Sequence, residues 1–305
     1  MSGRRGSNPA IYFLSDYGIA DEFVGVVHAV LHRLAPTSTV IDLSHLVAPF
    51  DVQAGADLLE RSLPHLGPGV VLAVVDPGVG TARRAVAVAV ESVDGPQWLV
   101  GPDNGILLPA ADALGPVTRA VGLEARALAI GRTASPGPAG ATFDGRDLFA
   151  PAAAHLVLGE DPSRLGPDLD PTTLVRIQPG SGPVASRPDL SNPSGLSGLS
   201  AEVGWIDRFG NAQLRSTPAA LSDAGLALGD RAVVSVRSDD GSGGPPTAAR
   251  WVGAFAELGP GELGLMVDAN GRPALVVDRS SAARLLALAG PGTVIEITPA
   301  PGPAD

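Results

Sequence analysis

The chain carries the sequence Val-Val-Asp-Pro-Gly-Val-Gly-Thr-Ala-Arg-Arg from Val74 to Arg84, at the end of an apolar run that begins at Val70. The run predicts a buried strand whose carboxyl end presents Asp76, and open α/β sheets form their ligand sites at such ends. The glycines allow the backbone to approach a ligand closely, and Arg83 can hold the Asp76 carboxylate ionised and oriented. The alternative is a tight turn between two strands with an ion pair on the surface.

The composition narrows the classes of protein to be considered. The 305 residues suggest two domains or one large one, and 45% hydrophobic residues suffice for a sizeable core. No apolar run approaches the roughly 18 residues of a membrane span, and the first ten residues contain no apolar signal region. We therefore expect no membrane association and no secretion. The net charge of −11 argues against non-specific binding of nucleic acid.

Two residue types are absent from the sequence. The chain has no cysteine, which excludes disulfides, thiolate metal sites and a cysteine nucleophile, and which fits a cytoplasmic protein. All 21 basic residues are arginine, so lysine Schiff-base chemistry and a Walker P-loop are excluded as well. The five histidines lack metal-site spacing. His28 and His32 lie four residues apart, but we expect them in solvent or at an interface and predict no metal centre.

Outward from the opening stretch, short apolar runs alternate with segments of helical period, which predicts an α/β layered domain over residues 1–178. The predicted strands are residues 11–15, 39–43, 70–75, 84–91 and 97–100. The predicted helices are residues 21–34, 52–63, 106–114 and 148–158.

The composition then changes. Residues 179–200 are rich in Pro, Gly and Ser and are predicted to be a linker. Short β-type segments separated by turns dominate residues 201–305, with one predicted helix at 281–288, and they indicate a small barrel or sandwich.

Polar clusters lie where predicted strands end, and several combine a carboxylate with an aromatic ring or an amide. This combination suits a nucleoside, because a carboxylate can bind the ribose diol, a ring can pack on the base and an amide can bind the base edge. The candidate substrate-binding residues from these clusters are Asp16, Tyr17, Asn104, Phe143, Asp207 and Asn211.

Each cluster also has a purely structural interpretation. Asn104 and the glycine after it can form a turn with positive φ. Asp147 can be the N-cap of the helix that begins at Leu148. The segment from Asp207 to Asn211 can be an ordinary hairpin.

The motifs, taken in order, resemble one known family. They are Phe13-Leu-Ser-Asp-Tyr-Gly18, Pro49-Phe-Asp-Val52, Val75-Asp-Pro-Gly-Val-Gly-Thr-Ala-Arg-Arg84, Gly101-Pro-Asp-Asn-Gly105, Thr142-Phe-Asp-Gly-Arg-Asp-Leu-Phe-Ala-Pro151 and Asp207-Arg-Phe-Gly-Asn211. The sequence resembles the S-adenosylmethionine hydroxide adenosyltransferase family, which is related to fluorinases and chlorinases. The resemblance covers nearly the whole chain and is strongest in the first domain.

The resemblance implies an α/β N-terminal domain with a central, Rossmann-like sheet and a smaller C-terminal β-barrel domain. It implies a homotrimer with active sites between subunits and S-adenosylmethionine as a small-molecule substrate, and we expect no cofactor. It also assigns roles. Asp76 and Arg83 match two members of a set that holds water, and Asp16 matches the carboxylate on the ribose hydroxyls.

Three further positions carry roles by the same resemblance. Phe50 matches an aromatic residue near the ribose, and Asp207 and Asn211 match contacts to the methionine amine and the adenine.

Two positions depart from the family pattern. The water-holding set is usually completed by a histidine, and here Asp144 takes its place. Two carboxylates beside one water would compete for a proton, so that the pKa of one should rise; Asp144 is then either a second base or a defect. A serine expected to receive the methionine carboxylate is missing from the segment Asp268 to Pro273, where Arg272 is a substitute candidate.

The leading functional hypothesis is hydrolysis of S-adenosylmethionine to adenosine and methionine by attack of water at ribose C5′. Asp76 orients the water, Arg83 fixes Asp76, and Asp144 is the candidate second base. One alternative is an adenosyltransferase that uses another nucleophile such as a halide, although the Asp76 carboxylate would repel an anion. The other is a catalytically silent protein that binds a nucleoside.

Overall fold

The computed structural model describes residues 10–93, 95–124, 143–177, 198–237 and 245–300. The chain divides into two compact units, residues 1–178 and 179–305. Among the described residues, no helix combines the length and the apolar character needed to cross a lipid bilayer.

The first unit is built on a mixed seven-stranded sheet. Its strands are β1 Ala10–Ser15, β2 Thr39–Ser44, β3 Gly69–Val74, β4 Ala85–Ser92, β5 Gly95–Pro102, β6 Val117–Gly122 and β7 Asp168–Leu169. The spatial order is β2-β1-β3-β5-β4-β6-β7. The neighbouring strands β2, β1, β3 and β5 pair in parallel. The pairs β5–β4, β4–β6 and β6–β7 are antiparallel. The parallel part places the carboxyl ends of β1 and β3 side by side.

Helices cover both faces of this sheet, and the inner strands β1, β3 and β4 are accordingly apolar and buried on both sides. The helices are α1 Phe23–Leu34, α2 Val52–Ser62, α3 Leu108–Leu114 and α4 Ala150–Val157. Successive residues of β1 serve opposite faces. Phe13 packs in one core with Leu31 of α1 and Phe149, whereas Leu14 packs in the other with Leu59 of α2. The rigid layers fix the loops at the strand ends.

The second unit is a closed seven-stranded barrel. Its strands are β8 Leu199–Ile206, β9 Ala212–Leu214, β10 Arg231–Arg237, β11 Thr247–Trp251, β12 Leu263–Val267, β13 Pro273–Val277 and β14 Val294–Pro299. They close in the order β10-β11-β12-β13-β9-β8-β14. Two short helices accompany the barrel, α5 Pro218–Asp223 and α6 Ala282–Leu285. Inward-facing residues such as Leu214, Leu265 and Leu275 are fully buried in the barrel core.

The predicted fold class, an α/β sheet domain followed by a smaller β-barrel domain, is confirmed. Strands β6, β7, β9 and β11 and helix α5 have no counterpart among the predicted elements. Most of the predicted linker lies outside the described residues, and its last two residues, Leu199 and Ser200, belong to β8. The helix predicted at 281–288 is shorter in the structure, where α6 is a single turn from Ala282 to Leu285.

The helix predicted at 148–158 begins earlier and is irregular. A π-helical turn, Gly145–Phe149, precedes α4, and the residue at its N-terminus is Asp144. The interpretation of Asp147 as the N-cap is therefore wrong. Asp147 lies inside the π-turn, and its carboxylate accepts two hydrogen bonds from Arg146 at 2.8 and 2.7 Å.

Candidate active site

Asp76 lies at the carboxyl end of β3, directly after the fully buried Val75. The chain then turns back, and Arg83 returns to the carboxylate. Arg83 Nε donates to Asp76 Oδ1 at 2.9 Å, and Nη2 donates to Oδ2. Gly80 has a φ of +77° in this turn, and a Cβ on Gly78 would lie 3.0 Å from Cγ of Arg83. The two glycines thus let the arginine fold over Asp76, which is the ion pair expected from the sequence.

The neighbouring arginine serves a different carboxylate. Arg84 Nε donates to Asp103 Oδ2 at 2.7 Å, and Arg84 Nη1 donates to Thr173 Oγ1 at 3.0 Å. Asp103 is buried and also accepts the Val175 amide at 2.8 Å. This second pair fastens the segment after β7 to the sheet, so that only the first arginine of the motif faces Asp76.

Asp144 joins the first pair from a distant part of the chain. Arg83 Nη2, which binds Asp76, also donates to Asp144 Oδ2 at 2.5 Å. The π-turn begins at the next residue and closes with a hydrogen bond from the Ala150 amide to the Gly145 carbonyl, a 5-residue step. Such turns occur often at functional sites, because they displace side chains from the regular helical register.

The two carboxylates differ in access to solvent. The side chain of Asp76 is 6% exposed and that of Asp144 is 22% exposed. Burial lowers the pKa of the Arg83 guanidinium, but its hydrogen bonds and charge interactions with both aspartates outweigh burial and leave that pKa above its ordinary value. A permanent cation thus lies between two carboxylates, and Asp144 is the more accessible of the two.

Asp16 follows β1 and lies at the same edge of the sheet. Its Oδ2 accepts the Phe50 amide at 2.9 Å. Burial raises the pKa of Asp16, the hydrogen bond from Phe50 lowers it, and the nearby charge of Asp76 raises it again, so the net direction is upward. The carboxylate also lines the pocket described below, where a ligand can reach it.

Phe50 has an unusual backbone and an exposed ring. Its φ is +68°, in the left-handed region that costs a bulky residue roughly 1–3 kcal/mol. The residue as a whole is 71% exposed. The strained backbone directs the amide at Asp16 and leaves the ring at the mouth of the pocket, where an apolar ligand surface could cover it.

An aromatic wall completes this side of the pocket. The ring of Phe143 packs edge-on against Tyr17 at 5.7 Å and against Phe23 at 5.2 Å between centroids. Burial, followed by the charge of Asp16, raises the pKa of Tyr17, which therefore stays neutral. Gly145 is required here, since a Cβ would lie 2.1 Å from the Tyr17 hydroxyl.

These side chains line one pocket of about 270 Å³. Its lining residues are Asp16, Tyr17, Phe23, Pro49, Phe50, Val74, Asp76, Val79, Phe143, Asp144 and Gly145. Six of the seven candidate residues of the first unit, apart from Arg83, are included. Phe23 and Val79 were missed, because Phe23 fitted the apolar period of α1 and Val79 carries no polar signal.

Asn104 is the candidate that lies outside this lining. Its Nδ2 donates to the Val75 carbonyl at 2.8 Å, and its Oδ1 accepts the Ile106 amide at 3.2 Å. Gly105 follows with a φ of +100°. The side chain therefore holds the turn after β5 against the end of β3, as the turn interpretation predicts, and it supports the strand that carries Asp76.

Asp207 and Asn211 lie in the second unit, in the turn between β8 and β9. Asp207 Oδ1 accepts the amides of Phe209 and Asn211 at 2.8 and 2.9 Å, and its Oδ2 accepts Asn211 Nδ2 at 2.8 Å. The hairpin interpretation is thus correct in its geometry. Both residues also line a pocket of this unit, together with Phe209, Phe255, Val277, Asp278, Arg279, Ser280, Ser281 and Arg284.

The cations of this second pocket were not anticipated. The sequence pointed to Arg272, but the segment from Asp268 to Arg272 forms the turn between β12 and β13, where Asp268 Oδ1 accepts the Arg272 amide at 3.1 Å. Arg279, which precedes α6, and Arg284, which lies within it, line the pocket instead. The apolar stretch before Arg279 was interpreted only as a strand, which hid the polar turn at its end.

Comparison with known proteins finds matches in both units of the chain. Residues 11–166 match the SAM hydroxide adenosyltransferase N-terminal domain, and residues 201–295 match the C-terminal domain of the same name. A curated protein of Salinispora tropica named (R)-S-adenosyl-L-methionine hydrolase is 44% identical over 290 residues, covering 95% of this chain and 98% of its own. A fluorinase of Actinoplanes sp. is 28% identical, with coverage of 72% and 75%.

A solved structure supports the same relationship. An uncharacterized conserved protein from Thermotoga maritima superposes with a TM-score of 0.77 at 32% identity, covering 94% of this chain and 99% of that one. The two domain matches cover most of the sequence, and the Salinispora hydrolase and the Thermotoga protein align over nearly their whole length. The chain therefore belongs to the SAM hydroxide adenosyltransferase family.

Proposed function

We propose that the protein hydrolyses S-adenosyl-L-methionine to adenosine and L-methionine. The observation that carries this proposal is the cluster of Asp76, Arg83 and Asp144 in a pocket that also holds Asp16. Curated relatives with 42–48% identity bear the name (R)-S-adenosyl-L-methionine hydrolase. We accordingly propose the epimer with the R configuration at sulfur as the substrate.

The reaction is a displacement at C5′ of the ribose. The oxygen of water forms a bond to C5′ while the C5′–S bond breaks, and sulfur keeps the electron pair as the neutral thioether of methionine. The water gives up one proton. Because the leaving group is neutral, acid catalysis is not needed, and the task of the site is to desolvate and align the nucleophile.

The three residues around the water divide this task. Asp76 is fixed by two bonds from Arg83, so its carboxylate is suited to accept a hydrogen bond from the water and orient it. Asp144 is held by one bond and is more accessible, which suits the acceptor of the departing proton. Two carboxylates and one guanidinium give the cluster a net charge of −1, which disfavours a halide nucleophile and favours water.

For the remaining contacts we propose the roles that the family resemblance suggests. In this proposal Asp16 accepts hydrogen bonds from both ribose hydroxyls, and Tyr17, Phe50 and Phe143 provide apolar surface. We propose a homotrimer in which Asp207 and Asn211 of a neighbouring subunit bind the methionine amine and the adenine. Arg279 and Arg284 in that second pocket are candidates for the methionine carboxylate, in place of the missing serine.

Turnover in oxygen-18 water tests the proposal. The protein is incubated separately with the R and S epimers of S-adenosyl-L-methionine. The products are separated by chromatography, and their masses are measured by mass spectrometry. We expect adenosine with the heavy oxygen at its 5′-hydroxyl, formed faster from the R epimer, and no product from Asp76→Asn. A 5′-halogenated adenosine in added chloride or fluoride would establish the adenosyltransferase alternative. Binding of adenosine without turnover would establish the silent binding protein.

A further inference from the structure

A second polar cluster lies at the edge of the sheet, outside the lining of the pocket around Asp76. It consists of His28 on α1, Asp42 on the edge strand β2, and His45 just after that strand. Nε2 of His28 lies 2.8 Å from Asp42 Oδ1, and Nε2 of His45 lies 3.1 Å from the same oxygen. All three ligand atoms fall within 4.8 Å of one another. We propose that this cluster binds one divalent ion of the zinc class.

The buried histidine supplies an independent observation. The side chain of His45 is only 5% exposed, and its Nε2 makes no aligned hydrogen bond despite the nearby carboxylate. If this nitrogen carries a proton, the donor has no acceptor in line. If it does not, a lone pair faces an electron-rich oxygen. A cation between the two atoms satisfies both, because imidazole nitrogen and carboxylate oxygen then become its ligands.

The other nitrogen of the same ring is already fixed. His45 Nδ1 lies 2.8 Å from Ser15 Oγ, which in turn accepts the Tyr17 amide at 3.3 Å. With Nδ1 donating to the serine oxygen, Nε2 is left free as a metal ligand. Such an outer hydrogen bond typically orients a ligating histidine and sets its tautomer. Phe13 packs against the ring at 4.5 Å between centroids and holds its plane.

The donor set and its spacing select the ion. Two imidazoles and one carboxylate suit zinc and its neighbours, whereas magnesium and calcium prefer oxygen ligands alone. Bonds of about 2.0–2.1 Å in a tetrahedron separate ligands by about 3.3 Å, close to the 2.8 and 3.1 Å that separate Asp42 Oδ1 from the two histidine nitrogens. His28 and Asp42 are 36% and 42% exposed, which leaves the outward side open for water as the fourth ligand.

The cluster is connected to the turn that carries Asp16. The backbone carbonyl of His45 accepts the Gly18 amide at 2.7 Å, and Ser15 directly precedes Asp16. An ion on His45 would therefore stiffen the segment between Ser15 and Gly18. The sequence did not predict this arrangement, because the three ligands come from one helix, one strand and one loop and show no regular spacing.

Calorimetry with zinc ions tests the site. Untagged protein is freed of metal with a chelator and titrated with zinc sulfate, and we expect one ion bound per chain. His28→Ala and Asp42→Asn should each weaken binding at least tenfold. The matched control is His32→Ala, one turn further along the same helix and exposed, which should bind as the original chain does.

Cobalt provides a second readout that does not depend on turnover. Cobalt(II) should give the intense visible absorption of a tetrahedral site in the original chain and in His32→Ala, and lose it in His28→Ala. Saturable zinc binding that survives both His28→Ala and Asp42→Asn would place the ion elsewhere. Absence of saturable binding to the original chain would overturn the proposal and leave the cluster as a histidine–carboxylate ion pair.

Discussion

Asp76 and Asp144 are held on the same nitrogen of a shared guanidinium, Nη2 of Arg83, although 68 residues of chain separate them. Arg83 therefore has two roles. It fixes Asp76 through a two-bond fork, and it offsets the repulsion that two neighbouring carboxylates would otherwise experience. Arg84, the next residue, makes an equally specific pair with Asp103 outside the pocket. The adjacent arginines provide a matched pair for mutation.

Replacing Arg83 by lysine should cost about 10²-fold or more in kcat, because an ammonium cannot reproduce the fork on Asp76 and reach Asp144 as well. Arg84→Lys should instead lower stability by about 1–3 kcal/mol with little effect on kcat, since it weakens the bonds to a buried carboxylate. Steady-state kinetics and thermal melts on both variants check the contrast. Equal losses of kcat would show that Arg83 acts only through the fold.

Asp144→His tests the position that departs from the family pattern. A neutral imidazole removes one like charge and provides a base that titrates near neutral pH. We expect hydrolysis to be maintained or raised, and the pH dependence of kcat to acquire a limb near the ordinary pKa of histidine, about 6.5. Rate profiles over pH for the two proteins measure this.

Asp144→Asn is the companion variant for this position. It keeps a hydrogen-bond acceptor for Arg83 but no longer accepts a proton, so kcat should fall while adenosine still binds. Asp76→Asn should abolish turnover with either aspartate or histidine at position 144. An Asp144→Asn protein that turns over normally would remove Asp144 from the role of base.

The sequence could predict the parts of this site that are local. Asp76 and Arg83 share one turn, so the apolar run, the glycines and a separation of seven residues sufficed to pair them. The shared bond to Asp144 depends on the packing of α4 against the sheet, and no spacing reports it. Only the family resemblance brought Asp144 to attention.

The parts that were missed have physical reasons. Strand β7 has two residues and β9 has three, too few for an alternating pattern to stand out. The π-turn after Asp144 looks like an ordinary helix start, because its distinction lies in hydrogen bonding and not in residue type. His28, Asp42 and His45 converge only when the edge strand packs against α1.

We expect the negative charge of Asp16 to favour adenosine binding and to lower the stability of the folded chain. Burial raises its pKa, so the folded chain favours the protonated carboxyl. The stabilisation that the protonated carboxyl contributes is fully present below the pKa that Asp16 has in the unfolded chain. It is lost as pH rises through the higher pKa that Asp16 has in the folded chain. At neutral pH the charged form therefore costs stability. Asp16→Asn keeps the acceptor for the Phe50 amide and removes the charge, so we expect a higher Tm together with adenosine binding weakened about tenfold or more.

Calorimetry over a range of pH separates these effects for Asp16. Adenosine affinity of the original chain should fall as pH drops through the raised pKa of Asp16, because the protonated carboxyl loses acceptor capacity for the ribose hydroxyls. The Asp16→Asn protein should show a flat profile in the same range. An unchanged affinity in the variant would place the ribose elsewhere in the pocket.

The subunit arrangement can be tested by mixing two inactive proteins. In the proposed homotrimer each site takes Asp76 from one subunit and Asp207 from its neighbour, so Asp76→Asn and Asp207→Ala chains damage different halves of a shared site. In randomly mixed trimers, half of the chains carry an intact Asp76 and the other half carry an intact Asp207. About one site in four then combines an intact Asp76 with an intact Asp207 from the neighbouring subunit. Co-expression followed by an adenosine assay should therefore recover about a quarter of the original activity, with light scattering to confirm trimers. Mixed trimers without activity would mean that each site is completed within a single chain, because every chain in the mixture carries one of the two defects.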